Sequence, residues 1–168
     1  MHLLYLVSVW LHILAAITWI GGLFFIVLVV VPWLRGGGSG GAGAFLRATG
    51  ARFRDVGWSC FAIVLVTGTF NLHVRGVHLA DFTRAEWLAS WLGRAIVLKL
   101  LLFLLVLVVS AVHDFVLGPR AVAVIEREPG SAAAARVRRR AALLGRANGI
   151  LALALVGVAV VIVRGWPF

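Results

Sequence analysis

Two ionisable residues, His12 and Lys99, stand inside long apolar runs of this chain. Lys99 is the one lysine among 16 basic residues, and it lies within Trp91-Leu-Gly-Arg-Ala-Ile-Val-Leu-Lys-Leu-Leu-Leu-Phe. A charged side chain at the centre of a membrane segment costs roughly 2.5–3.5 kcal/mol on the insertion scale, so a residue of this kind is a functional candidate by default. Lysine can lose its proton when it is desolvated, whereas arginine stays charged. A neutral amine is a base and a metal ligand, and imidazole is the commonest protein ligand for metals. The pair therefore points to metal or cofactor ligation.

The elements that position these residues follow from composition. The chain has 168 residues, of which 62% are hydrophobic and 13% charged, with a mean hydropathy of +1.06. Those values describe a membrane protein with a lipid bilayer as solvent. The net charge of +10 raises the question of nucleic acid. The arginines lie in the breaks between apolar runs, however, where topology and anionic headgroups account for them, and no nucleic-acid partner is expected. The single cysteine, Cys60, excludes an internal disulfide, and no Cys-x-x-Cys-His is present for covalent haem. Met1 is the lone methionine, so no thioether cluster for cuprous ion exists. There is no Ser-His-Asp grouping, no paired carboxylates and no phosphate loop, which excludes the usual hydrolytic and phosphoryl-transfer machinery.

Four apolar segments reach the roughly 20 residues needed to cross a bilayer. They cover approximately residues 3–33, 56–74, 91–117 and 148–164. The expected fold is an all-α, polytopic four-transmembrane-helix bundle forming a single domain over 1–168. The first segment is too long for a signal peptide and lacks a basic leading region. Pro32 and the glycine-rich stretch 36–43 are expected to end it. Residues 44–55 read as a short, basic interfacial helix. Arginine counts set the orientation. The connection 34–55 carries Arg35, Arg47, Arg52 and Arg54, and 118–147 carries seven arginines from Arg120 to Arg146. The loop 75–90 has only Arg75 and Arg84, against Asp81 and Glu86. The positive-inside rule puts the two basic connections in the cytoplasm and the 75–90 loop and both termini outside. Within the last connection, Glu128-Pro-Gly marks a break, and Ser131 is a good N-cap for a helix running towards the fourth span.

In this topology His12 lies ~13 Å, and Lys99 ~12 Å, below the outer surface at 1.5 Å per residue. Two rare side chains at one depth on different helices are expected to share a site. Lys99, Phe103, Val106, Ser110 and His113 fall on one helix face, expected to point inward. Ser59, Ile63, Thr67 and Asn71 form an i+4 stripe on the second span. Trp19 and Gly22 share a face with His12, and Gly21-Gly22 removes bulk where a helix or flat ligand could approach. His73 ends the stripe, and His2, His73 and His78 offer a secondary group of metal ligands at the outer surface. His113-Asp114 reads as an interfacial structural pair. Trp33, Trp58, Trp87, Trp91 and Trp166 read as interface anchors, and Cys60 as inert core.

The stretch Trp10-Leu-His-Ile-Leu-Ala-Ala-Ile-Thr-Trp-Ile-Gly-Gly-Leu-Phe-Phe resembles the opening helix of the copper resistance protein D (CopD) family. So do Arg52-Phe-Arg leading to Val66-Thr-Gly-Thr-Phe-Asn-Leu, Gly93-Arg-Ala-Ile-Val-Leu-Lys-Leu, and His113-Asp-Phe-Val-Leu-Gly-Pro-Arg. This resemblance implies a multi-pass protein of the bacterial inner membrane associated with copper. A more distant likeness is to HemJ-type four-helix membrane proteins, in which a first-helix histidine and a third-helix lysine hold haem b. His12 and Lys99 match those positions, whereas the region after Gly21-Gly22 and the end of the third span depart from that pattern. The implied reading is haem b held for electron transfer by His12 and Lys99. Gly22 would make room, Trp19 and Asn71 would line the pocket, and His73 would be the reserve ligand. The alternatives are copper handling through His2, His12, His73 and His78, and a non-catalytic subunit of a larger membrane complex or homo-oligomer.

Overall fold

The computed structural model describes residues 2–35, 42–128 and 130–165. The described residues form helices and turns, with no strand among them. Helix α1 (His2–Phe25) continues through a π-helical segment (Ile26–Val30) into α2 (Val31–Arg35). Next come α3 (Ala42–Val74), a 3-10 turn (Leu79–Thr83) and the short α4 (Ala85–Ala89). Helix α5 (Trp91–Ala111) runs through a second π-helical segment (Val112–Leu117) into α6 (Gly118–Arg127), and α7 (Ala132–Arg164) follows. Four stretches are long and apolar enough to cross a membrane: His2–Trp33, Ala48–Val74, Trp91–Val124 and Ala132–Arg164.

Several boundaries differ from the sequence reading. The basic segment 44–55 is not a separate interfacial helix but the first third of α3. At 33 residues, α3 and α7 are each ~50 Å long, well beyond the ~30 Å hydrocarbon core. The surplus lies at their N-terminal ends, where Arg52, Arg54 and Arg136 to Arg146 cluster. Pro32 does not stop the first helix. Each π segment ends two residues before a proline, Pro32 or Pro119. Proline has no N–H and its ring collides with the carbonyl four residues back. Widening the preceding turn absorbs that collision, and both turns close with i→i−5 bonds, Val31 N–H to Ile26 O and Gly118 N–H to His113 O. The Glu128-Pro-Gly break does occur: α6 ends at Arg127, Gly130 takes a φ of +88°, and the Ser131 side chain accepts from Ala134 N–H to start α7. Trp166 and residues 36–41 of the glycine-rich stretch lie outside the described residues.

Packing is pairwise. Helix α1 lies along α3, α5 lies along α7, and α1 also touches α7. The core gathers Ala15, Trp19, Leu23, Cys60, Phe61, Val106 and Ala152 in the half nearer the arginine-rich end. Trp19 meets the Phe61 ring at 5.0 Å, and Phe61 meets Phe103 at 6.1 Å and Trp58 at 5.5 Å. Trp58 is thus part of this aromatic cluster rather than a free interface anchor, and its indole N–H donates to Asp114 at 3.1 Å. Asn148 Nδ2 donates to Ser110 Oγ at 2.9 Å, a buried polar link between α7 and α5. Outside this core, Ile17, Leu65, Leu101, Leu104, Leu153 and Val160 are exposed around the bundle. A surface so apolar is suited to lipid tails, and the chain is a multi-pass membrane protein.

Candidate functional site

The half of the bundle nearer residues 75–90 is built differently. Along α1, Ser8, His12 and Ala15 succeed one another at helical spacing and face α3. Ser8 Oγ–H donates to the Thr67 carbonyl at 3.4 Å, and His12 Nδ1 lies 2.9 Å from Thr67 Oγ1. Thr67 Oγ1 also lies 2.5 Å from the Ile63 carbonyl, which can only accept. A hydroxyl has one proton. Given to Ile63, that proton leaves Thr67 Oγ1 as the acceptor of His12 Nδ1–H. The imidazole is then fixed in the tautomer whose Nε2 carries a lone pair. Gly68 explains how the ring comes so close: a Cβ there would stand 3.2 Å from His12 Cε1. A glycine immediately after the threonine lets the Nδ1–Cε1 edge of the imidazole approach α3.

Lys99 lies on α5 and is half-buried. Among the described residues Lys99 has no carboxylate partner. One turn from Thr67, Asn71 Oδ1 is buried with no hydrogen-bond partner among the described residues. An unpaired buried acceptor costs about 1–3 kcal/mol, so it is a place where a cation or donor would be welcome. His12, Thr67 and Gly68 are thus in contact, and Asn71 stands one turn along α3, whereas α5, which carries Lys99, packs chiefly on α7.

Other expected site residues lie elsewhere. Trp19 is two turns from His12, inside the aromatic core, packed on Phe61. Gly22 makes room, but for Phe53 of α3: a Cβ on Gly22 would stand 2.5 Å from Phe53 Cε2. Its missing side chain is filled by protein. His73 is exposed at the end of α3, beside His78. Six residues on from Thr67, it is rotated by about 240° around the helix, away from the His12 face. The i+4 stripe fans out for the same reason, since each i+4 step adds about 40°. Ser59 therefore faces outward and bonds its own helix at Asp55 O, whereas Thr67 points inward. The inward face of α5 is as expected, with Val106 and Ser110 buried. His113 Nδ1 lies 2.9 Å from Asp114 Oδ1, and that carboxylate is held on its other oxygen by Trp58.

Sequence reasoning missed Ser8 and Gly68 as members of the group. The signals were present: Ser8 stands four residues before His12, and Gly68 directly follows the inward threonine. A groove of about 660 Å³ lies on a neighbouring face of α5 against α7, lined by Trp91, Arg94, Leu98, Gly157 and Val161. Its lining is almost wholly apolar and offers no ligand set. Among the described residues, no three His, Cys, Asp or Glu side chains gather as a metal cage.

A family model described as Copper resistance protein D matches residues 47–162. The chain belongs to the copper resistance protein D family. The match includes Thr67, Gly68, Asn71, His73, His78 and Lys99, and it starts beyond α1. Membership therefore rests on α3 to α7, and the inclusion of His12 rests on its bond to Thr67. No curated protein and no solved structure matches the chain.

Proposed function

We propose that this protein handles copper at a two-donor site inside the membrane, with His12 Nε2 as the fixed donor and the Lys99 amine as the second. The observation that carries this reading is the committed Thr67 hydroxyl. A metal-ligating histidine characteristically gives its other ring N–H to an oxygen, which fixes tautomer and ring orientation, and His12 has that arrangement with Thr67. Asn71 Oδ1 adds, one turn along, an acceptor with no partner among the described residues. Imidazole suits copper in this role, and family membership supplies the choice of metal. The positive-inside rule orients the arginine-rich end to the cytoplasm, so that in a bacterial inner membrane the site serves the outer half.

The test is copper accumulation by cells carrying the wild-type protein or His12→Phe at equal membrane levels. The reading predicts that His12→Phe falls to the level of cells lacking the gene. Equal accumulation by the two refutes it.

Haem b is a second reading, favoured by the number of donors. An iron porphyrin brings its own four nitrogens and asks for one or two axial donors from facing helices. His12 and Lys99 would hold it, and the group would supply one-electron transfer. The absorption spectrum of purified protein decides between the two. A Soret band at one haem per chain that His12→Phe abolishes selects haem; a spectrum without it, together with copper accumulation, selects copper.

A further inference from the structure

His73 and His78 are five residues apart, a spacing that a continuous helix would place about 140° apart around its axis. The chain instead reverses between them. Gly76, with φ +79°, closes α3 in a Schellman motif: Gly76 N–H bonds His73 O at 3.0 Å and Val77 N–H bonds Leu72 O at 3.0 Å. His78 follows in extended conformation, and its N–H is held by Asp81 Oδ2 at 2.8 Å. The two imidazoles end with centroids 5.2 Å apart and planes at 83°. Both are exposed.

Two rings bound to one ion at the ~2.0–2.1 Å metal–nitrogen distance have centroids about 4.5–6 Å apart, depending on the angle between the bonds. The observed separation falls inside that range, and backbone bonds that involve no metal hold both residues in place. Asp81 lies 4.0 Å from His78 Nδ1, a carboxylate placed to offset the cationic surroundings of Arg75 and Arg84.

We infer that His73 and His78 form a second metal site, a two-imidazole clamp for cupric ion at the mouth of the bundle. Two nitrogen donors completed by water suit the tetragonal preference of Cu(II), and the Irving–Williams order favours copper over zinc at such a site. The choice of copper as the biological ion rests on the copper-handling reading above, whereas the clamp itself rests on the turn. It would gather the ion at the same end of the bundle towards which the His12 group lies.

The experiment is a Cu²⁺ titration of purified protein without a polyhistidine tag, followed by low-temperature electron paramagnetic resonance. A His2→Ala, His12→Phe background removes the other terminal imidazole and the interior donor. The inference predicts one Cu²⁺ per chain with splitting from two imidazole nitrogens. Affinity should drop at least tenfold when His73→Asn or His78→Asn is added to that background. Both substituted residues are exposed, and an unaltered circular-dichroism spectrum confirms the fold. In that background, binding that survives His73→Asn together with His78→Asn, or splitting from a single nitrogen, overturns the clamp. Absence of Cu²⁺ binding from the background protein, when the His2→Ala protein with His12 intact binds it, also overturns it, leaving the interior site as the copper ligand. An intact clamp in a protein whose cellular copper accumulation ignores His12→Phe upholds this inference and refutes the interior reading.

Discussion

Thr67→Val is the substitution that most sharply separates an oriented ligand from a packed histidine. It keeps the shape of the side chain and deletes one oxygen. That oxygen accepts His12 Nδ1–H at 2.9 Å and donates to Ile63 O at 2.5 Å. The Ile63 carbonyl loses little, because a helical carbonyl retains its backbone partner. His12 loses its acceptor in an apolar section, at a cost of about 1–3 kcal/mol for an unpaired buried donor. The ring escapes that cost by turning over or by moving its proton to Nε2. Either change takes the lone pair from the position it holds in the wild type. At 1.4 kcal/mol per factor of ten, metal affinity should fall about 5- to 150-fold, in line with the ~10–100-fold typical for the partner of a ligating histidine. The assay is a copper titration against a competing chelator, in a His73→Asn, His78→Asn background that removes the outer imidazoles. Thr67→Ser restores the oxygen and should restore most of the affinity. If Thr67→Val binds copper as tightly as wild type, the hydroxyl does not orient a ligand and the argument from it fails.

Three further outcomes follow from the packing. Lys99→Met removes an ammonium without a carboxylate partner among the described residues; thermal stability should hold or rise, whereas interior copper binding should fall at least tenfold. Gly22→Ala forces Phe53 to move and should cost about 1 kcal/mol or more in unfolding free energy, whereas Gly21→Ala, with nothing within 4 Å of its Cβ, should be neutral; steric-trap or denaturant unfolding measures both. A double-mutant cycle on Ser110→Ala and Asn148→Leu should give a coupling of about 0.6–1.7 kcal/mol, the range of hydrogen bonds between membrane helices, and zero coupling would mean that the 2.9 Å bond contributes nothing to joining α5 and α7.

The four spans were legible in the sequence because hydropathy alone identifies apolar stretches of that length. Helix α7 was anticipated from Ser131, whose side chain caps it. The inward face of α5 was legible because Val106 and Ser110 keep the 3–4 spacing of a helix. The π segments were not, because their cause is a proline two residues further on that hydropathy does not register. Trp19 and Gly22 share a helical face with His12, but spacing along one helix does not say which neighbour fills the space beside it. Phe61 and Phe53 fill it here. The grouping of His73 with His78 was offered by the sequence, but the chain reversal at Gly76 that brings their rings together was not. Thr67 stood in an i+4 stripe of four candidates, and helical drift of about 40° per step selects which of them face inward.

X-ray absorption at the copper edge, on copper-loaded protein lacking the His73 and His78 imidazoles, tests the interior site most directly. The account predicts a nitrogen shell near 2.0 Å with the outer-shell scattering of one imidazole, lost in His12→Phe. A sulfur shell near 2.3 Å, or an imidazole signal that persists in His12→Phe, would contradict it.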